Sequence, residues 1–170
     1  MDMGEWTMTK MMMTAALAAA MTLAAAQPAS AAACWDQQHA AAAKVRDLQS
    51  RLMVATLRCQ AMGYDVSPAY NRFVRANKDT IQSANGIIKA QFADSGAAGA
   101  ERAYDSFTTA LANAYGGDAT NGGICQETEQ AENDGETAAG DVSLLLALAD
   151  RLGPPPTLPG GTCPITFSQR

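Results

Sequence analysis

The chain is poor in the residues on which most enzyme and cofactor chemistry is built. It has one histidine, His39, in 170 residues, and its four cysteines form no Cys-x-x-Cys pair. The first shortage argues against a histidine-based metal centre, and the second against thiol exchange at a paired site. A covalently attached haem needs two cysteines just before a histidine, which are absent. His39 with Met53 or Met62 would be a non-covalent haem pair, but all three fall on one predicted helix and cannot face each other across a bundle. The chain also lacks a nucleophile elbow, a metalloprotease helix and a phosphate loop. No catalytic residue, cofactor or metal is therefore assigned. Only 17% of residues are charged, with no dense basic face of the kind nucleic acid requires. No segment alternates with strand period, and no internal repeat is present.

What is present begins with an export signal. Lys10 precedes an apolar run over residues 11–26, Gln27 and Pro28 break it, and Ala29, Ser30 and Ala31 offer small residues for cleavage. This is the three-part layout of a secretory signal peptide. Asp2 and Glu5 are unusual ahead of such a run, and Met8 is an alternative start. Cleavage after Ala31 is expected to leave 170 − 31 = 139 residues, one domain by length, in a bacterial periplasm or outside the cell. Residues 142–148 are apolar but too short to span a bilayer, so no membrane anchor is expected after cleavage. Cys34 lacks the large aliphatic neighbour of a lipidation site, and acylating it would leave an odd number of thiols.

The remaining sequence has helical period throughout. Val45, Leu48, Leu52, Ala55, Cys59 and Met62 recur at steps of three and four, which predicts one helix over residues 35–62, about 42 Å long. Gly63 ends it. Ser67 and Pro68 start a second helix whose seam is Phe73, Asn77, Ile81, Ala84 and Ile88, with Asn77 as a polar interruption. A third helix runs over 97–115 with Tyr104, Phe107 and Leu111 inward. A glycine-dense loop follows. The fourth starts near Ile124 and shows a clear face at Val142, Leu145, Leu146, Ala149 and Leu152. Within it, either Asn133, Asp134 and Gly135 kink the helix, or Gly135, Ala138 and Ala139 are small residues that let a neighbour approach closely. Gly153 and three prolines end all helix.

These features predict an all-α, four-helix up-down-up-down bundle over residues 32–152, with a Pro-rich tail over 153–170. Cys34 and Cys59 lie at opposite ends of helix one, about 38 Å apart by helical rise, and cannot bond to each other. In the bundle the end of helix one meets the start of helix four, which pairs Cys59 with Cys125. The returning tail pairs Cys163 with Cys34. An even cysteine count in an exported chain fits such a framework.

Charge divides unevenly. Residues 32–93 hold eight basic and four acidic groups, and residues 94–170 hold three and eleven. Two halves that pack together are the plain explanation. Glu127, Glu129, Glu132, Asp134, Glu136 and Asp141 form an acidic run. Aligned as a calcium loop on Gly135, it has Gln130 at the first ligand position and no glutamate at the last, so it reads as a solvated helix face. The cysteine-free hairpin over 67–115 carries Arg72, Arg75 and Lys78, the candidate surface for an acidic partner. The functional expectation is a non-catalytic binding or structural accessory module acting on an unknown protein partner. A metal or haem carrier, or an enzyme of unassigned class, are the alternatives.

Overall fold

The computed structural model describes residues 34–93 and 97–164. The expected signal peptide over 1–31 lies outside the described residues, as do 165–170. Among the described residues there are six helices: α1 (Gln37–Ala61), α2 (Ser67–Ala76), α3 (Lys78–Gln91), α4 (Ala97–Gly116), α5 (Gly122–Ala138) and α6 (Val142–Leu152). The only β pairing among the described residues is one isolated bridge between Trp35 and Thr162.

Local chemistry sets most helix ends. Asp36 caps α1, its Oδ1 accepting the His39 backbone N–H at 2.8 Å. At the other end Gly63 takes φ +87°. Its N–H donates to Gln60 O, and the Tyr64 N–H donates to Cys59 O, the paired bonds of a glycine-terminated helix. Asn121 caps α5 through Ile124 N, and Asp141 caps α6 through Ser143 N and Leu144 N.

The expected second and fourth helices are each broken in two. The first break is at Asn77, where the backbone leaves helical geometry (φ −111°, ψ 15°). Its side-chain amide competes for the carbonyl of Phe73, four residues back, which bends helices. The second is at Ala139 and Gly140, at φ 46° and 89°, immediately before the Asp141 cap of α6 and not at Asn133–Gly135, the kink that one reading of the sequence allows. The two breaks are joined. Asn77 is 1% exposed. Its Nδ2 donates to Gly135 O at 2.7 Å, and its Oδ1 accepts the Gly140 N–H at 2.8 Å. Beside it the Thr80 hydroxyl donates to Gly140 O at 2.8 Å.

Helix α1 is the centre and packs against each of the other five. Val45, Leu48 and Leu52 meet Phe73, Ile81, Ile88, Phe107, Leu111, Leu145 and Leu148 in one core. Two expected seam positions depart from this: Met62 and Val142 are exposed. The cysteines pair as Cys34–Cys163 and Cys59–Cys125, with Cα separations of 4.9 and 5.6 Å. The tail is docked as well as tied. Trp35 N donates to Gly161 O and Cys163 N to Trp35 O. The Trp35 indole N–H reaches Pro159 O at 2.8 Å, and its ring packs with Phe92 and Phe107. Ion pairs Lys44–Asp150, Arg72–Glu136 and Lys89–Glu101 join the basic and acidic halves. No helix among the described residues is long and apolar enough to cross a membrane.

At Gly135, α5 approaches α2 closely. A Cβ there would lie 2.6 Å from Phe73 Cδ2 and 3.3 Å from Leu148 Cδ2, whereas one at Gly86 on α3 would meet nothing within 4 Å. Gly135→Val is expected to cost about 3 kcal/mol by overpacking. Gly86→Ala is expected to gain up to about 1 kcal/mol through helix propensity alone. Denaturant unfolding of both variants checks this: opposite signs support the close contact, and a neutral Gly135→Val refutes it.

Candidate functional site

Two polar clusters are built into the interior. The first stands where α1 meets the C-terminal ends of α4 and α6. Asp47 is 5% exposed, and the Tyr115 hydroxyl donates to its carboxylate, 2.7 Å from each oxygen. Burial raises the Asp47 pKa, opposed by the Tyr115 hydrogen bond and the Arg51 charge. Burial and the Asp47 contact also raise Tyr115, keeping it the donor. Arg51 stacks 4.7 Å from the Tyr115 ring centroid, and its Nη2 donates to the Tyr115 oxygen at 3.2 Å. Its Nη1 donates to Leu152 O at the end of α6, and Arg58 donates to Tyr115 O near the end of α4. Cations at helix C-termini satisfy carbonyls that have no partner within the helix and oppose the helix dipole. Shallow cavities of about 410 and 330 Å³ flank Tyr115 and share Arg51 in their walls.

The second cluster lies between α1, α2 and α5. Glu132 is completely buried, with Oε1 accepting the Thr56 hydroxyl at 2.5 Å and Oε2 lacking a partner at hydrogen-bonding distance. The Thr56 hydroxyl also contacts Leu52 O at 2.7 Å. Burial pushes the Glu132 pKa up to about 7, and nearby Glu129 adds to the rise. The Thr56 hydroxyl, the Arg72 charge and the Tyr70 backbone N–H oppose it. Neither this carboxyl nor Asp47 was singled out from the sequence. Glu132 was read as part of a solvated face.

The sequence-derived candidates divide. Arg72 turns toward α5, its Nε 2.9 Å from Glu136 Oε2 and its Nη2 2.8 Å from Asn133 Oδ1. Arg75 and Lys78 instead line an open polar hollow of about 440 Å³ with Asp79, Thr80, Ala139 and Gly140. The three therefore do not form one free stripe. His39 Nδ1 lies 2.8 Å from Asp36 Oδ1 at the start of α1. That contact, with the backbone bond from His39, holds the Asp36 carboxyl below its usual range. Residues 130–138, the bulk of the supposed calcium loop, are helical. Within the acidic run Asp134 pairs with Arg151 and accepts from Gln130, which lowers its pKa. Among the described residues no group of three or more histidine, cysteine or acidic side chains could hold a metal ion. A further groove of about 450 Å³ runs between α1 and α3, walled by Ala41, Val45, Ser83, Ile87 and Val142. No protein-family model, curated protein or solved structure matches the chain.

Tyr115→Phe would leave the buried Asp47 carboxylate without its hydroxyl donor. A loss of about 1–3 kcal/mol is expected at pH 7. The loss should shrink toward pH 4. The Asp47 pKa is raised above 3.8, so acid neutralises the group and a neutral carboxyl no longer needs the donor. Urea unfolding of both proteins at the two pH values checks this. An equal loss at both would show that Tyr115 contributes only packing.

Proposed function

We propose that this chain is an exported, non-catalytic binding module that works in a periplasm or outside the cell. In this reading its helices follow an up-down-up-down path, with two of the four rods broken. The observation that carries the export reading is that both cysteine pairs are disulfide-bonded, one joining the start of α1 to the tail and the other joining α1 to α5. Such bonds form and persist in oxidising compartments.

The binding surface in this reading is the exposed pair Arg75 and Lys78, beside the turn between α5 and α6. The partner is an acidic protein segment. Arg72 belongs to the same stripe in sequence, but its guanidinium is largely occupied by Glu136 and Asn133, so it contributes at most a long-range charge. Two exposed cations steer association and add modest affinity, with strong dependence on salt.

The test is capture of partners from periplasmic extract on the immobilised, disulfide-bonded chain at low salt. Arg75→Glu with Lys78→Glu is expected to reduce the captured acidic partner at least about tenfold, in line with the cost of like-charge contacts across an interface. Both side chains are exposed, so folding should be unaffected. Unchanged capture by the double variant would remove this surface from consideration. An absorbance spectrum with metal analysis of the purified chain separates the binding module from a carrier.

A further inference from the structure

Glu132 stands at a junction whose three walls are not equally fixed. Thr56, its hydrogen-bonding partner on α1, lies one turn before Cys59, and Glu132 lies about two turns after Cys125 on α5. The Cys59–Cys125 disulfide therefore locks together the two helices that carry the pair. The third wall, α2, holds no cysteine and is ten residues long. Its N-cap residue Val66 offers no side-chain acceptor, and the Ser67 N–H is taken by Asp65 Oδ1 at 3.1 Å. Its polar links to α5 are the half-exposed Arg72 pair with Glu136 and Asn133, and the Asn77 joint at its C-terminal end.

A carboxyl that is wholly buried with one oxygen unpartnered tolerates its neutral form and not its charge. Ionisation demands water or a cation at Oε2. Helices α1 and α5 are cross-linked at this level, so α2 is the wall that can yield. We propose that Glu132 makes α2 a pH-gated element: loss of its proton to solvent swings α2 away from α1 and α5 about the Asn77 joint and uncovers Ala69 and Phe73. The titratable and charged groups acting on Glu132 are Glu129 from its own helix and Tyr70 and Arg72 from α2, with the neutral Thr56 from α1. Glu129 opposes ionisation. Arg72 favours it, and leaving Glu136 for Glu132 would weaken one of the polar links that hold α2 to α5.

The sign follows from proton linkage. The folded pKa of about 7 stands above the ordinary 4.5, so the closed state holds a proton that the open state releases. Closure is favoured at acid pH and weakens as pH rises through that interval. With those two values, opening becomes about tenfold more frequent between pH 6 and pH 8.

Hydrogen exchange on the disulfide-bonded chain, divided by intrinsic exchange rates at each pH, reads this directly. Amides of α2 should lose about tenfold protection from pH 6 to pH 8, while those of α1 and α5 near the disulfide keep theirs. Glu132→Gln should leave α2 equally protected at both values. Equal α2 protection in the wild-type chain, a loss shared equally by all three helices, or a loss that persists in Glu132→Gln would overturn the proposal. If that variant does not fold, infrared difference spectroscopy of the wild-type chain decides. The band of the buried protonated carboxyl should vanish over the pH interval in which α2 opens, and its vanishing while α2 stays protected would also overturn the proposal.

Discussion

One buried amide holds the two broken helices in register. Asn77 lies in the gap between α2 and α3, and the same side chain grips both sides of the gap between α5 and α6, at Gly135 O and Gly140 N. Each break frees backbone groups that would be costly to bury without partners. Setting the breaks side by side lets one asparagine satisfy them, with Thr80 taking Gly140 O. The rest of the packing depends on this level. It fixes where Phe73 meets Gly135, and so how closely α2 lies on α5 over Glu132. It also aims α6 so that its last carbonyl meets Arg51 and Asp150 meets Lys44.

The interior is unusually polar for the size of the core. Asp47, Ser50, Thr56, Asn77, Thr128 and Glu132 are all buried. Each must be satisfied or bear a desolvation cost, and at Glu132 the satisfaction is incomplete. The cross-links offset part of that cost. They close spans of 129 and 66 residues, and a bridge of that order contributes about 4 kcal/mol in the chain-entropy picture, less for whichever forms second. A fold held from outside by disulfides can retain ionisable groups inside that a simpler bundle would exclude. This links the covalent framework to the gating proposed for α2.

Much of the fold was legible in the sequence because apolar residues mark the faces of α1, α3, α4 and α6. Helical spacing with Gly63 placed α1 to within two residues, and helical rise excluded a Cys34–Cys59 bond, leaving the pairing to the expected return of the chain along α1. The inner face of α5 was not legible. Cys125, Thr128, Ala131, Glu132, Gly135 and Ala138 are its buried residues, and their steps of three and four are regular. They are small or polar, so a search for apolar period passed over them and read Glu132 as solvated. Nor could the two helix breaks be placed. Asn77 stood out as a polar interruption, but its meaning depends on Gly135 and Gly140, some sixty residues away. The separation of Arg72 from Arg75 and Lys78 was not legible for the same reason: Glu136 and Asn133, which claim Arg72, come from a distant segment.

The most direct test of this account is the stability of Asn77→Ala. The substitution leaves the Gly135 carbonyl and the Gly140 N–H unpaired in a buried setting while adding a better helix former. The account predicts a loss of about 3 kcal/mol in urea unfolding, since each buried group left unsatisfied costs about 1–3 kcal/mol. It also predicts faster amide exchange on both sides of the two breaks. A change within about 0.5 kcal/mol, the range of an ordinary surface substitution, would contradict the claim that this one amide holds the broken helices together.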